Sequence, residues 1–210
     1  VDIARRYLEA GGSRRALVIG AETLSRIMDW SDRSTCVLFG DGAGAAVLEA
    51  DEAEEHAGIL STVLGTDGAG GMMLRCDNRR NHNPYVNGDT ALSYVSMNGQ
   101  EVYKFAVRTV PKVIVGAVEA AGLSMDEIDF FLLHQANLRI IEAVAKRLHQ
   151  PMEKFPTNLQ EYGNISSASV PILLDNVNNH GMIGEGSKIV LAGFGAGLTW
   201  GAAVLRWQAV

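Results

Sequence analysis

The chain has 210 residues, of which 47% are hydrophobic and 20% charged, and its formal net charge is -6. This composition is ordinary for a globular protein, and the acidic balance argues against a nucleic-acid-binding protein, which would usually be basic. The two cysteines are far apart and the five histidines lack metal-ligand spacing, so the sequence predicts neither a disulfide scaffold nor a metal site. No apolar run is long enough to cross a bilayer, so we expect a protein of the reducing cytoplasm that binds no membrane.

The first part of the chain predicts one helix followed by several strands. Apolar residues recur at helical spacing over 1–8, and the Gly11-Gly12 pair then ends the helix. Short apolar runs predict strands at 16–19, 36–39, 45–48 and 58–64. The acidic segment 49–55 is expected to be an exposed loop. Residues 65–93 show little periodicity, which predicts a long loop of the kind that is usually functional.

The rest of the chain alternates predicted helices and strands. A long helix over 100–121 contains Pro111, which should kink it or mark a join. Ser124 and Glu127 have the spacing of a capping box, so a short turn is expected there. Further helices are predicted at 138–148 and 168–178, and strands at 130–133, 188–192 and 198–207. The alternation indicates α/β layers around a mostly buried sheet, in which ligands bind at the strand ends.

Three positions are candidates for chemistry, and each has an alternative explanation. His134 closes the apolar run 130–133, so it lies either at the rim of a pocket or in the core with its ring bonded to backbone. Asn164 follows Gly163, where an asparagine is commonly only a turn residue or a helix cap. The glycine-rich segment 193–197 either aims backbone N–H groups at a developing anion or simply connects two strands tightly.

The glycine-rich segment 40–44 shares features with a dinucleotide-binding fingerprint. It lacks the full spacing of that fingerprint, and the residues after it predict a strand where a helix would be required. We therefore interpret these glycines as structural, placed where two backbones approach closely.

Four motifs recur together along the chain: Phe39-Gly40-Asp41-Gly42-Ala43-Gly44-Ala45, His134-Gln135-Ala136-Asn137, Tyr162-Gly163-Asn164 and Gly193-Phe194-Gly195-Ala196-Gly197. In their order and spacing, and in the Asp32-Arg33 pair, the chain resembles the β-ketoacyl-acyl carrier protein synthase III family over essentially its whole length. The resemblance implies a thiolase-like layered α/β/α/β/α fold and a homodimer. Residues 1–57 would then be the remainder of an N-terminal half, and 58–210 the C-terminal half.

The resemblance also implies a reaction. Members of the family condense an acyl group from coenzyme A, such as acetyl-CoA, with malonyl-acyl carrier protein, and so initiate fatty acid biosynthesis. Carbon dioxide is lost, a 3-oxoacyl-acyl carrier protein forms, and no cofactor is needed beyond the two substrates. A starter-type polyketide or quinolone condensing enzyme and a non-catalytic scaffold of the same fold remain alternatives, and a nucleotide-binding protein is a more distant one.

Residue roles follow from the matching motif positions. The family's catalytic histidine and asparagine correspond to His134 and Asn164. The remaining positions implied by the resemblance are the active-site turn at Phe194, Gly195 and Ala196, and the coenzyme A and pantetheine contacts at Arg33, Asn98, Gly99, Tyr103 and Asn137. Arg139, Lys146 and Arg147 share one face of a helix, which suits docking of an acidic carrier protein or is merely a solvated face.

The catalytic cysteine of the family has no match in this chain. Cys36 lies in a predicted apolar strand and is expected to be a packed core thiol, and Cys76 lies in a polar loop. The family cysteine begins a buried helix, and the resemblance places Val1 inside that helix. We therefore expect the nucleophile just before residue 1, and the chain to be a C-terminal portion of the enzyme.

Overall fold

The computed structural model describes residues 1–50, 58–77, 85 and 93–208. The helices are α1 (Asp2–Glu9), α2 (Gly99–Ala120), α3 (Leu138–Leu148), α4 (Leu159–Tyr162) and α5 (Ser169–Asn179). The strands are β1 (Arg15–Thr23), β2 (Asp41–Glu49), β3 (Gly58–Thr66), β4 (Leu74–Arg75), β5 (Ser96–Met97), β6 (Phe130–Leu133), β7 (Lys188–Gly195) and β8 (Thr199–Arg206). Residues 51–55 of the first predicted loop and 78–84 and 86–92 of the second lie outside the described residues. The described part of the second loop is not a continuous loop, because it contains the end of β3 and the short strand β4.

Three sheets form. The largest has four strands in the order β3-β8-β7-β6, with β6 parallel to β7 and the other neighbours antiparallel. Strands β1 and β2 form an antiparallel pair, and β4 pairs with β5. Within the described part of the chain, no helix combines the length and the apolar character needed to cross a membrane.

The four-stranded sheet is covered by helices on both faces. Phe131 and Leu133 of β6 point into a core shared with α2 and α3, whereas Leu132 points into a smaller core shared with α5. Successive residues of a strand face opposite sides, so a strand buried on both sides has to be apolar throughout. The Phe-Phe-Leu-Leu sequence of β6 meets that requirement, and it places the next residue, His134, at the end of an edge strand that is buried on both faces.

Several predicted elements are confirmed, and α3 and β6 begin and end at the predicted residues. The strand predicted at 36–39 is wrong. Asp32 accepts hydrogen bonds from the backbone N–H groups of Ser34, Thr35 and Cys36, through its carboxylate or its carbonyl oxygen. These bonds close turns in place of a strand, because an aspartate side chain competes for nearby backbone donors. Cys36 is therefore half-buried in a turn, and the prediction of a core thiol is wrong as well.

Two further expectations are narrowed by the structure. Helix α2 passes through Pro111 as one continuous element, so of the two alternatives predicted there, a kink or a join, the join is wrong. The glycine-rich turn predicted at 193–197 is shorter than expected, because Gly193 to Gly195 pair in register with β8 and extend β7. Only residues 196–198 form the turn itself.

Gly40, the first residue of the glycine-rich segment 40–44, lies where another backbone comes close, as predicted, and so does Gly20 of β1, for which no prediction was made. A Cβ atom on Gly20 would lie 2.3 Å from the carbonyl oxygen of Ser167, and one on Gly40 would lie 2.4 Å from that of Tyr162. Real Cβ contacts are not this short, so these positions exclude larger residues. Both glycines let the segment that carries Asn164 pack directly on the strands.

Alanine substitution should therefore have opposite effects at two glycines. In Gly20→Ala the new methyl group collides with the 167 backbone, and we expect a loss of about 1–3 kcal/mol in the free energy of unfolding. In the matched control Gly116→Ala, inside α2 with open space around it, helix propensity should add about 0.5–1 kcal/mol. Urea denaturation measures both, and equal effects at the two sites would contradict the packing described above.

Candidate active site

His134 lies at the end of β6 and faces a cavity. Its backbone N–H donates to the carbonyl oxygen of Ala192 at 2.8 Å, which continues the β6–β7 pairing by one residue. Its ring makes no hydrogen bond to the described residues and contacts the edge of Phe194, with ring centroids 5.4 Å apart. The alternative of a core histidine bonded to backbone is therefore wrong, because the imidazole nitrogens remain available to a ligand.

Burial also controls the protonation of this histidine. Desolvation by the surrounding protein disfavours the charged imidazolium and lowers the pKa of His134 from 6.5 to about 4. The ring is consequently neutral near pH 7. A neutral imidazole can donate one N–H hydrogen bond without introducing a positive charge.

The main chain of Asn164 is fixed by hydrogen bonds to the turns before β2. Its N–H donates to the carbonyl oxygen of Leu38 at 3.0 Å, and its carbonyl oxygen accepts from the N–H of Gly40 at 2.9 Å. Gly163 precedes it with φ 67 and ψ -160, a conformation open essentially only to glycine. The side-chain oxygen accepts from the N–H of Ser166 at 3.1 Å, so the turn role is real. That bond leaves the side-chain amide N–H groups free to donate elsewhere.

One cavity of about 1320 Å³ brings most of the predicted site residues together. Its walls come from the turns before β2, from β3, the first turns of α2 and α3, and the β7–β8 turn. The predicted residues that line it are His134, Asn164, Phe194, Gly195, Ala196, Gly99, Tyr103, Asn137 and Arg139. The imidazole of His134, the side-chain amide of Asn164 and an apolar wall therefore face the same cavity.

An aromatic cluster forms one side of this cavity. Phe194 contacts His134 on one side and Phe105 on the other, at a centroid distance of 6.3 Å. Trp200 packs against Phe105 at 5.6 Å and lies over Gly65, where any side chain would collide with the indole. Sequence reasoning missed Phe105 and Trp200, because the contact depends on the pairing of β3 with β8 and on the position of α2.

Two helices begin at the cavity. Asn98 and Asn137 cap α2 and α3 by accepting from the N–H groups of Glu101 at 3.2 Å and of Arg139 at 2.9 Å. Helix N-termini carry partial positive charge, and Arg139 adds a full charge beside one of them. This entrance is therefore electrostatically suited to an anionic ligand.

Four predicted residues lie outside the cavity wall. Asn98 is occupied as a helix cap, and the exposed Arg33 adjoins Ser34, which does line the cavity. Lys146 and Arg147 are exposed in the last turn of α3, about 10 Å along the helix from Arg139.

A second row of exposed basic residues was missed by sequence reasoning. Lys104, Arg108 and Lys112 recur every four residues on α2, which packs against α3. The spacing was visible in the sequence, but a basic row of this kind is by itself usually a solvated face.

The two cysteines do not contribute to the cavity wall. Cys36 lies in the turns before β2, and the thiol of Cys76 donates to the carbonyl oxygen of Ser93 at 3.3 Å. Among the described residues there is also no cluster of histidine, cysteine, aspartate and glutamate that could hold a metal ion. Beside His134 and Asn164 the site therefore offers neutral side-chain donors, and the described residues of its wall include no cysteine thiol.

Comparisons with known proteins identify the family. The family model described as 3-oxoacyl-[acyl-carrier-protein (ACP)] synthase III matches residues 1–81, and the model for the C terminal of the same enzyme matches residues 118–207. A β-ketoacyl-[acyl-carrier-protein] synthase III from Clostridium acetobutylicum is 45% identical over 208 residues, which cover 99% of this chain and 63% of that protein.

Solved structures give the same result. The β-ketoacyl-[acyl carrier protein] synthase III of Thermus thermophilus is 45% identical with a TM-score of 0.90, over 100% of this chain and 64% of that one. The priming β-ketosynthase of the R1128 polyketide pathway is 36% identical with a TM-score of 0.88, over 98% and 61%. The predicted thiolase-like α/β fold is thereby confirmed. This chain spans somewhat less than two thirds of the length of these relatives, and it belongs to the β-ketoacyl-acyl carrier protein synthase III family.

Proposed function

We propose that the protein carrying this chain condenses an acyl group from coenzyme A with malonyl-acyl carrier protein, with loss of carbon dioxide. The product is a 3-oxoacyl-acyl carrier protein, the first step of fatty acid synthesis. The observation that carries the proposal is the placement of His134 and Asn164 on one cavity, each with an unused N–H donor. The family membership of the chain supports it.

The two donors suit the decarboxylation step. When the bond between the α-carbon and the carboxylate of a malonyl thioester breaks, its electrons move into an enolate whose charge lies on the thioester oxygen. Hydrogen bonds from neutral His134 and from the Asn164 amide stabilise that oxygen. Because Ser166 fixes the amide oxygen of Asn164, the amide nitrogen is oriented before the substrate arrives.

The condensation step uses the β7–β8 turn. The enzyme cysteine first takes the acyl group from coenzyme A, which leaves as the free thiol. The enolate carbon then attacks the carbonyl carbon of this acyl-enzyme thioester, a carbon–carbon bond forms, and the carbonyl oxygen becomes an oxyanion. The backbone N–H of Ala196 is our candidate donor to this oxyanion, and collapse of the intermediate expels the enzyme thiolate. Phe194 walls the cavity beside His134 and limits the access of water to the enolate.

The nucleophilic thiolate is expected from a segment that precedes this chain, since neither Cys36 nor Cys76 lines the cavity. We assign the pantetheine arm to the part of the cavity near Gly99, Tyr103 and Asn137, with Asn98 supporting the first of these as a helix cap. Arg33 would contact the nucleotide end of coenzyme A. No cofactor is required for this chemistry.

An acidic carrier protein is the partner we propose for α3. Arg139, Lys146 and Arg147 extend from the cavity mouth along an exposed face, and the basic row on α2 enlarges this positive surface. Such a surface steers an acidic partner toward the mouth. We also propose a homodimer in the cytoplasm, as implied by the family.

A starter-type polyketide condensing enzyme is the second candidate function. It is favoured by the structural match to the R1128 priming β-ketosynthase. Turnover of acetyl-, branched-chain and longer acyl-CoA substrates with malonyl-acyl carrier protein shows which starter group the complete protein uses, and so separates the two. A protein with no thiol that reacts with any of these substrates would instead be a scaffold.

Substitution of either donor should strongly lower the rate of malonyl decarboxylation. We expect His134→Ala and Asn164→Ala each to lower the rate by about 10²- to 10³-fold, because each removes one hydrogen bond to the developing charge. Release of carbon dioxide from malonyl-acyl carrier protein measures the effect. His149→Ala and Asn178→Ala, both exposed, are the matched controls and should leave the rate unchanged. Unchanged decarboxylation in the first pair would refute the proposed function.

The pH dependence of decarboxylation should reflect the lowered pKa of His134. Because burial disfavours the imidazolium, the ring stays neutral until the pH falls to about 4. We expect no loss of rate through this group between pH 8 and pH 5, and a loss as the pH falls further. Nitrogen NMR of the ring and single-turnover rates measure the transition, and a His134 transition near 6.5 would contradict it.

Charge reversal at the end of α3 should weaken carrier-protein docking selectively. In Lys146→Glu/Arg147→Glu we expect KM for malonyl-acyl carrier protein to rise about 10-fold or more, since steering is lost. KM for malonyl-CoA should not change, because both residues lie outside the cavity wall. Arg14→Glu is the control, since Arg14 precedes β1 and lies about 20 Å along the strand from Gly20, on which the cavity residue Ser167 packs. An equal rise for both thioesters would show that the effect is not docking.

A further inference from the structure

A buried glutamine lies directly behind the two donors. Gln135 is 1% exposed and follows His134 in the chain, so its side chain points away from the cavity into the protein. It does not line the cavity and therefore touches no substrate there. Glutamine is rarely buried to this extent, and a buried amide has to be hydrogen-bonded to be tolerated.

The hydrogen bonds of Gln135 are satisfied by three different segments. Its side-chain amide N–H donates to the carbonyl oxygen of Leu133 at 2.8 Å, inside the strand that ends at His134. Its side-chain oxygen accepts from the backbone N–H of Asn158 at 3.2 Å. Its own backbone N–H donates to the hydroxyl of Ser169 at 2.7 Å. Asn158 and Ser169 are themselves buried, so these bonds lie in a region of low dielectric.

The two distant partners bracket Asn164. Asn158 precedes α4, Ser169 begins α5, and the segment between them carries Asn164 at its middle. Asn158 is also tied to α5 through its side-chain amide, which donates to Asn176 at 2.6 Å. One residue thus fastens both ends of the Asn164 segment to the strand end that carries His134.

We propose that Gln135 is a positioning residue that sets the separation of the His134 and Asn164 donors. The inference rests on the proposed function, because the separation matters only if both donors bind one thioester oxygen. Glutamine suits this role because it is long enough to reach Asn158 and supplies a donor and an acceptor at once. Methionine has a similar volume and offers neither group.

The test uses the complete protein, including the segment that carries the nucleophile. Gln135→Met removes both side-chain bonds, and we expect single-turnover decarboxylation to fall about 10- to 100-fold, the effect of a small misplacement of a catalytic group. Transfer of the acyl group from coenzyme A to the enzyme should be unchanged, because that step does not use the paired donors. Gln160→Met, exposed on α4 within the same segment, is the matched control and should change neither step.

A double-mutant cycle separates positioning from general stability. If Gln135 acts through Asn164, the Gln135→Met change should have no further effect on the residual decarboxylation of Asn164→Ala. Two results would overturn the inference. One is that Gln135→Met slows acyl transfer to the enzyme as much as it slows decarboxylation. The other is that it lowers the decarboxylation rate by the same factor in the wild-type protein and in Asn164→Ala. If Gln135→Met fails to fold, Ser169→Ala takes its place, because it removes only the hydrogen bond from the Gln135 backbone N–H. The same two rates are then compared.

The proposed function and the inference fail in different ways. If Asn164→Ala leaves decarboxylation unchanged, the proposed function fails and takes the inference with it. If Asn164→Ala stops decarboxylation while Gln135→Met and Ser169→Ala match the Gln160→Met control, the inference alone is wrong.

Discussion

The backbone pairing between Phe39 and Asn164 is the constraint on which the rest of the site depends. It joins the turns before β2 to the segment between α4 and α5, two regions that are far apart in sequence. Strand pairing fixes the position of a residue more tightly than a side-chain contact does, because two hydrogen bonds hold the main chain on both sides of it. With this pairing in place, one wall of the cavity is rigid before any substrate binds.

The opposite wall is rigid for a different reason. His134 continues the pairing of β6, whose two faces are both packed against helices, so its main chain cannot move without disturbing two cores. A site built in this way needs no charged group to stabilise an enolate. Its two side-chain donors, His134 and Asn164, are neutral and face the same cavity, so they can bind a developing negative charge without a counter-charge.

Much of this arrangement could be predicted from the sequence, and the rest could not for identifiable reasons. β6 and α3 were predictable to the residue, because an uninterrupted apolar run and an asparagine cap are local signals. Individually, His134 and Asn164 were ambiguous, and only the order of four motifs distinguished them. The turns after Asp32 were misread as a strand because Val37 and Leu38 are apolar. The hydrogen bonds that Asp32 accepts through its carboxylate and its carbonyl oxygen close turns there instead. Phe105, Trp200 and Gln135 were beyond prediction, since their contacts join positions tens of residues apart.

The packing of Trp200 over Gly65 has a practical consequence. The chain contains three tryptophans, and of these Trp200 is the one that lines the cavity. Trp30 is largely exposed, and Trp207 follows the end of β8, away from His134 and Asn164. A ligand that fills the cavity changes the surroundings of the Trp200 indole. The protein therefore carries an intrinsic fluorophore at its candidate active site, and ligand occupancy can be followed by emission without a label.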